Sequence, residues 1–292
     1  MKLSIIGVGL IGGSLGLALK KNIGREIHIK GFGRNIKNLE EAKRLGAIDE
    51  IAESCEEVAK SNIIYLSTPV LSMLPIVKEL IPFLKPGTII TDAGSTKGLI
   101  FQEIKKILPE GVDYIAGHPM TGREKSGVTA ANSDLFVKKV YVIIDDNTVS
   151  HEAYHKLMNV LSKTGATFVY LSIEEHDRAA SVISHIPHIA ASGLVHLLKT
   201  SEDPKTTANL IGGGFRDTTR IASSNADMWA DILMSNSDCI VKDIDRYIEI
   251  LSDLKSAVKE KNRDELYNYF NDGKIFRDNL LLEIDKKFNR LS

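Results

Sequence analysis

The chain has 292 residues, 43% hydrophobic and 26% charged, which is long enough to bury two cores and makes two domains the default. With 37 Lys and Arg against 38 Asp and Glu, the net charge is -1, so no overall field draws nucleic acid or an anionic membrane, and neither is expected as a partner. Cys55 and Cys239 lie far apart without metal-type spacing, which predicts two thiols, no disulfide and a cytoplasmic protein.

Lys2 and the apolar run after it imitate the start of a secretory signal, but five glycines interrupt the run. No later segment reaches the roughly 18 uninterrupted apolar residues of a membrane span. Short apolar runs at Leu3 to Ile6, Ile27 to Phe32, Ile63 to Leu66, Thr88 to Thr91, Tyr114 to Ala116, Val140 to Ile144 and Thr167 to Tyr170 read as strands. Helical patterns separate them, among them Ile76 to Leu84, interrupted by Pro82, and Gly98 to Leu108. That alternation predicts an α/β domain with a doubly wound, mostly parallel sheet over residues 1–172. From Ile173 onward helical periodicity dominates, predicting an all-helical domain over 173–292 whose last apolar stripes suit a symmetric dimer.

The first strand runs into Gly7-Val8-Gly9-Leu10-Ile11-Gly12, a G-x-G-x-x-G turn between strand and helix. Gly7 permits the tight turn, Gly9 admits a pyrophosphate, and Gly12 allows close helix packing, while the amides that open the helix at Leu10 and Ile11 face the phosphates. This is a Rossmann-type dinucleotide site. The acid that would grip the ribose hydroxyl of NAD is missing from the tip of the second strand, where Gly33-Arg34 stands instead. The cofactor is therefore NAD or NADP, with Arg34 leaning the reading toward NADP. Thr68 and Pro69 follow the third strand and are expected beside the cofactor.

Four polar clusters remain. They are Asp92-Ala93-Gly94-Ser95-Thr96-Lys97, Gly117-His118-Pro119-Met120-Thr121-Gly122-Arg123-Glu124-Lys125-Ser126-Gly127, Ser184-His185-Ile186-Pro187-His188 and Gly212-Gly213-Gly214-Phe215-Arg216-Asp217-Thr218-Thr219-Arg220-Ile221-Ala222. Each falls after a strand or at a helix start, where function concentrates. His118 suits a general base near neutrality. The planar guanidinium of Arg220 suits a carboxylate. His185 and His188 share a helical face, with Ser184 as candidate N-cap and Pro187 opening or kinking the helix, yet no third ligand stands at useful spacing and no metal is expected; His176 and Asp177 lie two turns back. Trp229 is expected to pack the helical domain near the site.

In this order the motifs resemble the prephenate dehydrogenase family over nearly the whole chain. The resemblance implies oxidative decarboxylation of prephenate to 4-hydroxyphenylpyruvate with hydride transfer to NAD(P)+, in tyrosine biosynthesis. It implies His118 as base, Ser95 hydrogen-bonded to the same substrate hydroxyl, Arg220 on the ring carboxylate and His185 at the substrate side chain. Arg216 is expected at the pyruvyl carboxylate across a dimer interface, and Glu124 at the entrance. Arogenate is the alternative substrate, and a nucleotide-sensing regulatory module the remote one. The chain opens on the nucleotide strand and closes on the helical domain, so a fused mutase or regulatory domain is not expected.

Overall fold

The computed structural model describes residues 1–122 and 127–290. Strand β1 (Lys2–Ile6) feeds α1 (Leu10–Ile23), followed by β2 (His28–Phe32), α2 (Ile36–Arg44), the two-residue β3 (Glu50–Ile51), α3 (Cys55–Ala59), β4 (Ile63–Leu66), α4 (Val70–Leu80), β5 (Ile89–Asp92), α5 (Gly98–Ile107) and β6 (Asp113–Ile115). The six strands form one parallel sheet in the order β3-β2-β1-β4-β5-β6. The order reverses beside β1, so a crevice opens at the carboxyl edge between β1 and β4, where such sheets bind ligands.

Apolar side chains fill both faces. Leu3, Ile5, Leu15, Leu19 and Tyr65 lie in one buried cluster, and Ile6, Ile64, Leu66, Val77 and Ile104 in the other. Ile5 and Ile6 of β1, and successive residues along β4, thus enter opposite layers, which is why β4 is continuously apolar instead of alternating. Side-chain caps start α2 and α3: Asn35 accepts from the Asn38 amide and Ser54 from the Glu57 amide.

A second, three-stranded sheet completes this half. It contains β7 (Gly117–Pro119), β8 (Val140–Ile144) and β9 (Thr167–Leu171), with α6 (His151–Leu161) crossing between β8 and β9. Strand β7 runs antiparallel to β8, whereas β9 runs parallel to it. Two strands, β3 and β7, fall where the sequence reads as loop. Gly117 and Pro119 give β7 poor strand propensity, and pairing with Tyr141–Ile143 overrides it. The expected helix at Ile76 to Leu84 starts earlier, at Val70, carries Pro75 inside, and ends in a 3-10 turn, Ile81–Phe83, that contains Pro82.

The helical part comprises α7 (Ile173–Ala180), a π-helical turn (Ser181–His185), α8 (Ile186–Lys199), α9 (Pro204–Asn209), α10 (Gly213–Thr219), a 3-10 turn (Arg220–Ser223), α11 (Ala226–Ser235), α12 (Ser237–Glu260) and α13 (Arg263–Arg290). Ser172 starts α7 with a full capping box, its hydroxyl accepting from the Glu175 amide while the Glu175 carboxylate accepts from the Ser172 amide. Ser184 is not an N-cap: α7, the π turn and α8 form one helix, Ile173–Lys199. Pro187 has no N–H and its ring crowds the carbonyl one turn earlier, and the wider π turn accommodates both. In average hydropathy, 1.3, this helix is apolar and long enough to cross a membrane, although no unbroken apolar run exists in it. Its residues instead build the site described below.

The chain forms two compact units, Met1–Cys239 and Ile240–Ser292, so the helices up to α11 are packed into the same unit as the sheets. The secondary structure changes character at 172/173, but compactness divides the chain later, because α11 packs on α4 and α5 and α7 packs on α5.

Candidate active site

All six strands of the main sheet point their carboxyl ends to one edge, and the loops there carry Gly7, Gly9, Arg34, Thr68 and Ser95. Gly7 has φ +85°, and a Cβ there would lie 2.7 Å from the Ser67 carbonyl oxygen. At Gly12 a Cβ would stand 2.4 Å from the Ser67 hydroxyl and 2.7 Å from the Gly7 carbonyl oxygen. Both positions demand glycine for packing. Gly9 differs: a Cβ there would meet nothing within 4 Å, so the space beside it is open to a ligand. Gly9 also stands as N-cap of α1 without a side-chain cap, leaving the amides at Leu10 and Ile11 to a ligand or water. The Asn38 amide donates to the Val8 carbonyl at 2.6 Å and steadies the loop. Thr68, two residues past β4, has a buried hydroxyl with no hydrogen-bond partner among the described residues, and Pro69 beside it is exposed as N-cap of α4. Arg34 is exposed just beyond β2. A pyrophosphate with a neighbouring ribose fits this cradle.

After β5 the chain turns through a buried polar knot. Lys97 and Asp92 form an ion pair, each almost without solvent contact, and Asp92 also accepts from the Tyr114 hydroxyl at 2.7 Å and the Gly94 amide at 2.6 Å. Burial, then the Asp92 charge, pushes the Tyr114 hydroxyl well above its ordinary pKa. The knot fixes the loop that carries half-buried Ser95 between Gly94 and Thr96, and Thr96 in turn bonds Ser235 of α11 at 2.7 Å.

His118 sits in the middle of β7, paired with Val142. Gly117 lies so close to β5 that a Cβ would be 3.2 Å from the Asp92 carbonyl oxygen, which places His118 against the end of that strand. Burial, and then the neighbouring His176, Lys97 and His185, lowers its pKa well below the ordinary histidine value, so the ring is neutral at neutral pH. Its Nδ1 is 2.8 Å from Nε2 of His176, and Nδ1 of His176 is 2.8 Å from Oδ1 of Asp177. The same carboxylate accepts from the Lys97 amide at 2.9 Å and the Gly98 amide at 2.7 Å. Burial raises the Asp177 carboxyl, but the His176 ring and the two amides outweigh it and hold it below the usual range.

His185 is buried within the π turn, and its Nδ1 is 3.3 Å from the Asn236 amide nitrogen, which also donates to the Asp177 carbonyl at 2.8 Å. Burial drives the His185 pKa down to about 4. His188 donates from Nδ1 to the Ser184 carbonyl at 2.9 Å and stacks on Trp229 with ring centroids 3.8 Å apart; the His185 ring stands nearly perpendicular to the same indole, with centroids 6.0 Å apart. Trp229 thus packs both histidines, and its indole nitrogen is buried without a hydrogen-bond partner among the described residues. Arg216, on α10, and Arg220, opening the 3-10 turn, are exposed on segments that pack against α8. Glu124 lies outside the described residues. Among the described residues no cluster has the makings of a metal site.

The structure therefore joins His118, Lys97, His185 and Trp229 from four separate segments. It adds His176, Asp177 and Asn236, which sequence reasoning left aside or did not single out. Their signal was faint: a capping box, Ser172 to Glu175, followed at once by a His-Asp pair on the side of the helix that turns inward.

A family model described as the prephenate dehydrogenase nucleotide-binding domain matches residues 15–170, and one described as the prephenate dehydrogenase dimerization domain matches residues 172–272. A prephenate dehydrogenase of Bacillus subtilis (strain 168) is 38% identical over 281 residues, covering 95% of this chain and 76% of that protein. The structure of prephenate dehydrogenase from A. aeolicus in complex with hydroxyphenyl propionate and NAD+ superposes with a TM-score of 0.89 at 32% identity, over 96% of this chain and 98% of that one. Synechocystis arogenate dehydrogenase gives a TM-score of 0.80 at 28% identity, over 95% and 99%.

Proposed function

The chain belongs to the prephenate dehydrogenase family, and on that footing we propose that His118 is the general base of an oxidative decarboxylation of prephenate. The protein is an NAD-binding oxidoreductase with a Rossmann-type domain and a helical half. One observation carries the assignment of the base: His118 is a neutral imidazole held on a strand at the sheet edge where the open glycine loop also lies.

Prephenate is a cyclohexadiene with a ring hydroxyl and, on the opposite carbon, a carboxylate and a pyruvyl side chain. His118 accepts the hydroxyl proton at the ring nitrogen not turned toward His176, and Ser95 orients that hydroxyl. When bound, the nicotinamide supplies the hydride acceptor. Arg220 grips the ring carboxylate until its bond to the ring breaks; carbon dioxide leaves, and the electron pair left behind makes the ring aromatic. His185, neutral and buried, meets the pyruvyl side chain, with Arg216 for its carboxylate. The glycine loop, with Gly7, Gly9, Leu10, Ile11, Gly12, Thr68 and Pro69 around it, holds the dinucleotide.

The A. aeolicus relative was solved in complex with NAD+, while Arg34 beyond β2 favours a 2′-phosphate and hence NADP. Mixing purified protein with prephenate or arogenate and either nucleotide, and following the reduced-nicotinamide absorbance, tests both choices. A signal with prephenate is expected. A signal with arogenate alone would move the substrate, and none with any pairing would refute the reading.

We also propose a cytoplasmic homodimer formed through the helical half, with the domain division at 172/173. Phe270, Phe276 and Leu282 on α13, and Ile248 and Leu251 on α12, are exposed in the single chain. A 28-residue helix with that much uncovered apolar surface needs a partner. Sedimentation at micromolar concentration is expected to give twice the chain mass.

A further inference from the structure

His176 and Asp177 have no role in the reaction drawn above, yet they are 2% and 6% exposed and stand behind the base. A carboxylate only accepts, so the Asp177 Oδ1 contact fixes the hydrogen of His176 on its Nδ1. In a neutral imidazole so oriented, the His176 Nε2 presents a lone pair to His118 Nδ1 at 2.8 Å. A lone pair requires a donor, so His118 carries its hydrogen on Nδ1 and keeps Nε2 free to accept.

We infer that His176 and Asp177 are positioning residues for this reaction: Asp177 orients His176, and His176 holds His118 as the tautomer whose Nε2 receives the substrate proton. The inference rests on the reading of His118 as base. When His118 takes that proton, its Nδ1–H already points at an acceptor, and the new positive charge faces a line of dipoles ending in a carboxylate. The charged and titratable groups around His118 are His176 on α7, Lys97 after β5 with its partner Asp92, and His185 in the π turn. Asp177 is the one anion behind His176 in this line, and its remaining capacity is taken by the amides of Lys97 and Gly98. The same carboxylate therefore sets the proton position on the base and pins the first turn of α5, next to the loop carrying Ser95. Asn236 holds the Asp177 backbone from the other side.

The test has a spectroscopic arm and a kinetic arm on the full chain. In the NAD complex, nitrogen-15 NMR of the His118 ring, assigned by its loss in His118→Gln, is expected to show a protonated Nδ1 and an unprotonated Nε2. The opposite tautomer would overturn the inference. Kinetically, His176→Leu is expected to lower kcat about 10²-fold, within what a misplaced base costs, with KM and NAD affinity nearly unchanged. His176→Gln, whose side-chain oxygen can still accept from His118, is expected to recover at least about tenfold of that loss. Normal turnover in His176→Leu, with His118→Gln inactive, sinks this inference alone. Normal turnover in His118→Gln sinks the base assignment itself. Should His176→Leu not fold, His176→Gln and the unsubstituted spectrum decide.

Discussion

On the nucleotide side, the sheet works mainly through its backbone: Gly7 and Gly12 exist because nothing larger fits, Gly9 because the space belongs to something else, and the amides after it are left for phosphate. On the helical side the polar groups are side chains, with His185 in the π turn, His188 on α8, and Arg216 and Arg220 on segments packed against α8. Backbone recognition is rigid and tolerates no Cβ, whereas side-chain recognition can be altered one group at a time without disturbing the fold. His118 belongs to both kinds, a side chain proposed as the base and carried on a strand.

Replacing residues on each side tests that contrast. The largest effect is expected at the junction: His118→Asn should cut kcat by about 10²–10⁴-fold while NAD affinity, read by fluorescence titration, is kept. Next comes Lys97→Met, which leaves Asp92 buried without its cation and should cost about 3–5 kcal/mol in denaturant unfolding. Arg220→Ala should leave the fold intact and raise the substrate KM, by about 1.5–3 kcal/mol of binding; a fall in kcat at constant KM would contradict the clamp. The glycine pair separates packing from ligand space. Gly12→Ala is expected to lose about 1–3 kcal/mol of stability, and Gly9→Ala to unfold normally but bind NAD more weakly. An unstable Gly9→Ala would place that residue in the packing instead.

The gentlest test is pH. His185 is neutral in the fold, with a pKa near 4 against an unfolded value of about 6.5. The unfolded chain therefore binds the proton first: stability is complete above about pH 6.5 and falls as pH drops toward 4. His185→Gln should flatten the unfolding profile across that window.

The glycine loop, the parallel sheet and the change to helices are legible in the sequence because their causes are local: a turn that needs positive φ, apolar runs of strand length, a 3.6-residue period. His118 and the Asp92 to Lys97 cluster are legible as motifs. The contact of His118 with His176 is not, for it joins a strand to a helix 58 residues on, and nothing in the order of residues announces that pairing. Likewise β7, with glycine and proline at its ends, is a strand only because β8 lies beside it.

The π turn at Ser181–His185 has a last consequence. His176 and His185 are nine positions apart, and at 3.6 residues per turn that spacing puts them about 180° apart, on opposite sides of the rod. The extra residue in the turn spoils that count and swings His185 around by roughly a quarter-turn, so that Asn236 can touch both it and the Asp177 backbone. Deleting Val182 would therefore make the helix more regular and the enzyme worse. At this point in the chain a flaw in periodicity is what lets one asparagine side chain hold two positions of the same helix.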